Sequence, residues 1–334
     1  MTEKPWTMPA EWSANRSFWL AWPRLKLEWG NYFEAAKRST LELARAIASD
    51  GKGELVHLLV PSAEHLRADL WPPHILPLNL PYGDTWLRDT GPIFVSNGKE
   101  VAGTCFRFNG WGEKYLFEGD PKTASAISTF CNTPLRDINL VFEGGAIEVD
   151  GLGTGITTKQ CVLNPNRNPN LNKSEIETSL KDALGLKKIC WLKNGLKNDH
   201  TDGHIDNLVR FSKKSTLIVM EPNGQDDPNK QTFIDVNAKL STMTDAEEHP
   251  FKLVKIPSPG KVTLDGRIQP ASYLNFVITN KKVIVPMFGS NADSDALGII
   301  SDQFPGRQTI GLDSMALLSG GGSFHCITKQ EPLP

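Results

Sequence analysis

At 334 residues the chain is long enough to bury a large core, and a composition of 39% apolar and 22% charged residues is that of a globular protein. A net charge of −2 with both signs interspersed offers no basic stripe for nucleic acid or an anionic membrane. The longest apolar runs, such as Leu217-Ile218-Val219-Met220, are too short to span a bilayer.

Taken in chain order, the segments first exclude and then repeat. The opening MTEKPWTMPAEW has no apolar h-region, so it does not read as a secretory signal. Residues 18–22 read as a strand, followed by a helix over 32–49, stopped at Gly51, and a strand over 55–60. Residues 93–98 and 101–108 form a predicted hairpin around Asn97-Gly98, then a helix covers 121–130 and a strand 138–142. The order recurs with strands at 146–150 and 156–163, a helix over 174–184 and a strand at 188–192. Ser174 and Glu177 stand at capping-box spacing there, and Gly185 follows the last turn. A third round takes 205–211, 216–220, 230–240 and 252–256; a fourth takes 274–279, 283–287, 293–304 and 308–312. The fifth hairpin opens at 323–328 and finds its partner only at 18–22, at the other end of the chain.

These five hairpin–helix–strand units predict a single α/β domain spanning 1–334, a ring closed by pairing of its terminal segments. An ordinary α+β domain is the plainer alternative. The cysteines, at 105, 131, 161, 190 and 326, are odd in number and lack C-x-x-C spacing. They argue for free thiols in a reducing compartment, with the cytoplasm as the expected location.

The reactive residues fall at one end of their units: WLRDTGP before the first hairpin, FEGG before the second, HTDGHIDN opening the third and GGGSFHC opening the fifth. In a ring these ends converge. If GHIDNLVRF is a strand, His204 and Asp206 share one face, roughly 7 Å apart, a spacing that suits two groups flanking one small substrate. His200 and His204 are four apart, as in helical zinc sites, but Asp202 and Gly203 between them argue against a helix. Neither GLGTG nor GGGSF is a phosphate loop. Cys326 differs from the other cysteines in following a glycine run, which lets backbone approach a ligand closely.

WLRDTGP, FEGGAIEVDGLGT, TDGHIDN, PASYLNF with VIVPMFG, and GGGSFHCITKQEP together resemble the ordered motif set of the agmatine deiminases, in the bacterial peptidylarginine-deiminase-like family; MPAEW fits as well. The resemblance runs along nearly the whole chain. It implies a five-bladed α/β propeller (the pentein fold) and hydrolysis of the guanidinium of agmatine to N-carbamoylputrescine and ammonia, with no metal or cofactor. It also implies a nucleophile at Cys326, a general acid/base at His204, a glutamate orienting it at Glu143, and substrate carboxylates at Asp89 and Asp206. Two carboxylates suit a planar, delocalised cation, which each grips by one edge. They also raise the thiol pKa, which arrival of the cation offsets.

His325 would point away from Cys326 on a strand and reads as structural. Gly321 and Gly322 let the backbone pass close to the substrate, and Trp86, Asp199 and Asp202 are the candidates for its tail. Two positions depart from the family pattern: Ser323 stands where asparagine is usual, and His200 where a carboxylate is expected. Free arginine or another guanidino compound is the alternative substrate, and a metal hydrolase using His200 and His204 the alternative chemistry. The expected partner is a small guanidino molecule, with neither nucleic acid nor membrane; homo-oligomers are common in the family.

Overall fold

A computed structural model describes residues 4–334, so the first three residues of the predicted domain and of the MTEKPW opening lie outside it. Five mixed sheets share one plan. In each, a first strand pairs antiparallel with a central strand, and the chain returns through a helix to lay a third strand parallel to the central one. The triplets are Ile93–Ser96, Val101–Arg107 and Leu135–Val141; Glu148–Val149, Thr154–Thr158 and Lys188–Leu192; Val209–Lys213, Thr216–Glu221 and Lys252–Pro257; Val277–Ile278, Lys282–Met287 and Gln308–Asp313; and Lys329–Pro332, Asn15–Ala21 and Leu55–Leu59. The last sheet is built from both ends of the chain, with Phe18 opposite Gln330 and Trp19 opposite Lys329. Ile75–Leu78 adds a fourth strand to it, which the sequence does not announce.

The patterning explains the layers. Leu217, Ile218, Val219 and Met220 are all buried, as expected of a central strand covered on both faces. The crossover helix Lys230–Leu240 turns Phe233, Val236 and Leu240 to that core at three- and four-residue spacing. No helix is long and apolar enough to cross a membrane among the described residues. All five cysteines are free.

Three local expectations are corrected. The helix Lys173–Leu184 is capped by Asn172 and Glu175, not by Ser174 and Glu177: Asn172 lies outside the helix and is free to accept the first-turn N–H groups. The GHIDN stretch is no strand; Ile205–Asn207 is a single 3₁₀ turn, and the strand starts at Val209. Ser323–Thr328 is likewise a series of turns, and strand pairing begins only at Lys329. Both stretches carry buried polar side chains committed to other partners, and turns aim such groups where an alternating strand would face half of them away.

Where the sheets meet, a buried ionic cluster replaces apolar packing. Glu11 accepts from Arg88 (Nη1, 2.9 Å) and from Arg210, whose Nε reaches Glu148 at 3.1 Å. Glu11 belongs to the MPAEW segment, so the N-terminal stretch ties the first, second and third units together.

Candidate active site

Turns at one end of the five sheets bring Asp89, Glu143, His204, Asp206 and Cys326 together, all buried. Asp89 lies in the short helix Leu87–Thr90; its Oδ1 accepts the Gly145 N–H and its Oδ2 the Trp111 indole N–H, both at 2.9 Å. Gly145 stands against the cluster's middle. A Cβ there would sit 2.5 Å from His204 Nδ1 and 3.1 Å from both Asp206 Oδ2 and Asp89 Oδ1, so the second glycine of FEGG makes room for the convergence.

Asp206 is held by His325, whose Nδ1 lies 2.8 Å from Asp206 Oδ2 and whose Nε2 lies 2.8 Å from Glu11 Oε1. His325 therefore faces into the cluster rather than away from it, because the backbone here is a turn. Cys326 Sγ lies 3.7 Å from Asp206 Oδ2 and accepts the Asn275 amide N–H at 3.1 Å. Glu143 receives Arg167 Nε at 2.6 Å and stands 3.9 Å from His204 Nε2. His204 Nδ1 faces Asp89 Oδ2 at 3.7 Å. Both imidazole nitrogens and Asp206 Oδ1 are buried with no hydrogen-bond partner. Such groups are costly to leave unpaired, and they mark a place prepared for a polar guest.

The charges follow from this packing. Burial, with Asp206 and Asp89 beside it, pushes the Cys326 thiol well above the usual range. Burial works against a charged His204, but Asp89, Cys161 and Glu143 outweigh it and raise its pKa well above the ordinary value. Burial raises Asp89; burial also works to raise Asp206, but His325, His204 and Arg210 together outweigh it and lower that carboxyl. Glu143 is lowered as His204 and Arg167 overcome its burial. At neutral pH the cluster therefore holds a protonated thiol and an imidazolium among its carboxylates.

A cavity of about 170 Å³ leads out from Cys326 and Asp89. Trp86 and Trp29 stack along it, with centroids 5.7 Å apart, and Trp111, Tyr115 and His200 line the facing wall. Gly321 (φ +99°) carries the tail past His200 in a left-handed turn, and a Cβ on Gly322 would lie 2.6 Å from Trp86. Asp199 and Asp202 do not line this cavity. Asp202 is bonded to Arg167, Lys114 and Asn166, and Asp199 caps the turn at Thr201. Asp84 and Glu28 stand at the outer end instead, Asp84 accepting from Trp29 Nε1 at 3.4 Å and raised by burial to about 6. Ser323 bonds Ser314 at 2.6 Å and does not line the cavity.

Sequence reasoning missed Arg167, Asn275, Trp111, Asp84 and Glu11. Three of these lie inside or two residues from quoted motifs (Glu11 in MPAEW, Asn275 in PASYLNF, Asp84 before WLRDTGP), and a polar residue flanked by glycine, proline or aromatics was the available signal.

Residues 7–332 match the family described as Porphyromonas-type peptidyl-arginine deiminase. The agmatine deiminase of Pseudomonas fluorescens is 35% identical over 358 residues, covering 98% of this chain and 95% of its own. Among solved structures, the agmatine deiminase of Enterococcus faecalis, captured catalysing its reaction, superposes with a TM-score of 0.92 at 30% identity, over 99% of this chain and 98% of its own. A substrate-bound agmatine deiminase variant from C. jejuni gives 0.89 at 30% identity, over 98% and 96%. Matched along nearly its whole length, this chain belongs to the Porphyromonas-type peptidyl-arginine deiminase family.

Proposed function

We propose that the protein hydrolyses agmatine to N-carbamoylputrescine and ammonia, in one domain whose five sheets form the blades of a propeller closed by its terminal strands. The observation that carries this reading is the buried gathering of Cys326, His204, Glu143, Asp89 and Asp206 with both imidazole nitrogens and one carboxylate oxygen unpaired. The guanidinium lies between Asp89 and Asp206, each accepting from one edge. Its positive charge offsets the two carboxylates, the Cys326 proton leaves to solvent, and the thiolate attacks the central carbon. His204 gives its proton to the departing nitrogen; the C–N bond breaks and ammonia leaves, with the carbon held as a thiouronium on sulfur. Water then attacks that carbon, His204 takes its proton, and the C–S bond breaks to release the ureido product. Glu143, fixed by Arg167, holds the imidazole in place and stabilises its charged form.

Asp84 and Glu28 at the outer end favour agmatine over arginine. A primary ammonium there meets opposite charge, whereas the α-carboxylate of arginine meets like charge. The absence of a metal requirement, a cytoplasmic location and a place in polyamine chemistry go with this reading. Ammonia and ureido product measured on agmatine, arginine and a peptidylarginine test it: agmatine is turned over fastest, and Cys326→Ala loses at least about 10³-fold while keeping the melting temperature of the parent. Near-normal turnover by that variant would overturn the mechanism.

A further inference from the structure

A second cysteine stands behind the histidine. Cys161, fully buried in the short helix Lys159–Val162, places Sγ 4.0 Å from Glu143 Oε2. Among the described residues, Glu143, Cys161 and His204 form a group whose ligand-type atoms all lie within 4.8 Å of one another. The proposed reaction uses the histidine and the glutamate but gives this thiol no task.

We propose that Cys161, His204 and Glu143 form an inhibitory site for a soft divalent cation, best matched by Zn²⁺, which arrests the deiminase by occupying the two groups its reaction needs. This inference rests on the deiminase reading above. The donor set of sulfur, imidazole nitrogen and carboxylate oxygen is the one zinc selects. A tetrahedral Zn²⁺ with bonds of about 2.0–2.3 Å holds its ligand atoms roughly 3.4–3.6 Å apart. Glu143 Oε2 is already 3.9 Å from His204 Nε2 and 4.0 Å from Cys161 Sγ, so these two edges need contract by only a few tenths of an ångström, and the Cys161–His204 edge closes from within 4.8 Å.

The independent pointer is the imidazole, which is wholly buried with neither nitrogen hydrogen-bonded. With the metal on Nε2, Nδ1–H would face Asp89 Oδ2, now 3.7 Å away, and closing that gap to hydrogen-bond distance would complete the carboxylate–histidine–metal arrangement that strengthens a ligating imidazole. Arg167 occupies Glu143 Oε1 and leaves Oε2 to the ion. Protons held by Cys161 and His204 leave to solvent as the ion enters. Cys326 lines the cavity and is not one of these three ligands.

Co²⁺ and Zn²⁺ added to the purified full chain test this. The expected result is one equivalent of Co²⁺ bound with a sulfur-to-cobalt charge-transfer band, retained in Cys326→Ser and lost in both Cys161→Ser and Cys161→Ala. Zn²⁺ should inhibit the parent in proportion to occupancy and reversibly by EDTA, while each Cys161 variant, measured against its own metal-free turnover, needs at least about tenfold more metal for the same fractional inhibition. Using both variants separates loss of the ligand from loss of fold, since serine keeps the volume. A band that survives in the Cys161 variants, or vanishes in Cys326→Ser, assigns the metal to the other thiol and overturns the proposal. Absence of metal binding overturns it too. A metal-free parent inactive on agmatine that still shows the Cys161-dependent band refutes the deiminase reading and the inhibitory role, but not the site.

Discussion

The two ends of the cavity are built on different principles. At the inner end the three carboxylates are already gripped: Asp89 by Gly145 and Trp111, Asp206 by His325, Glu143 by Arg167. The outer end is walled by stacked Trp29 and Trp86 and carries Asp84 and Glu28 with few partners. The inner end is organised before substrate arrives, which is where electrostatic preorganisation lowers a barrier. The outer end holds a tail, which calls for shape and one charge. Substitutions inside should fall on the rate, and those outside on apparent affinity.

The largest expected effect is at Asp206. Asp206→Asn keeps the shape and removes one edge of the clamp, and kcat/KM for agmatine should fall by about 10³-fold, most of it in kcat. A rise in KM with kcat intact would make the inner end no different from the outer. The same variant carries a second effect of opposite sign on the thiol. Asp206 helps raise the Cys326 pKa, so alkylation by a neutral reagent should titrate above the ordinary thiol range in the parent and at lower pH in Asp206→Asn. The thiolate is the reactive form, so alkylation rises with pH in both. Equal titration curves would remove Asp206 as a cause.

The smallest effect is expected at Asp84. Asp84→Asn should raise KM for agmatine by about tenfold with kcat within about twofold. Its carboxyl is raised to about 6 by burial, so as pH falls through that value the group takes a proton and the substrate ammonium loses its partner. KM should therefore climb on the acid side in the parent and stay flat there in Asp84→Asn. A matching fall in kcat would break the division between the two ends.

Reading the chain alone recovered the rhythm of the molecule, because strands and crossover helices leave periodic apolar patterns. It also brought the five reactive side chains to one end. What it lost lies in turns. GHIDN and GGGSFHC carry an apolar–polar alternation that imitates strands, yet buried hydrogen bonds such as His325 to Asp206 decide their shape, and those partners are far away in sequence. Arg167 is invisible for a related reason: a single polar residue outside any motif has no local signature, and it matters only for what a distant segment places beside it. The resemblance points to Asp199 and Asp202, just before His204, for the substrate tail, while the carboxylate that lines the cavity, Asp84, comes from another unit.

The pairing of Asn15–Ala21 with Lys329–Pro332 carries a kinetic consequence. Ser17 and Glu331, hydrogen-bonded across that seam, are separated by 314 positions, and contacts of such range form only after the loop entropy between them has been spent. Cys326 lies just before the seam's C-terminal strand, and its Asn275 and Asp206 partners lie in the fourth and third units. Cys326 is thus expected to join its partners late in folding, after the rest of the scaffold is in place.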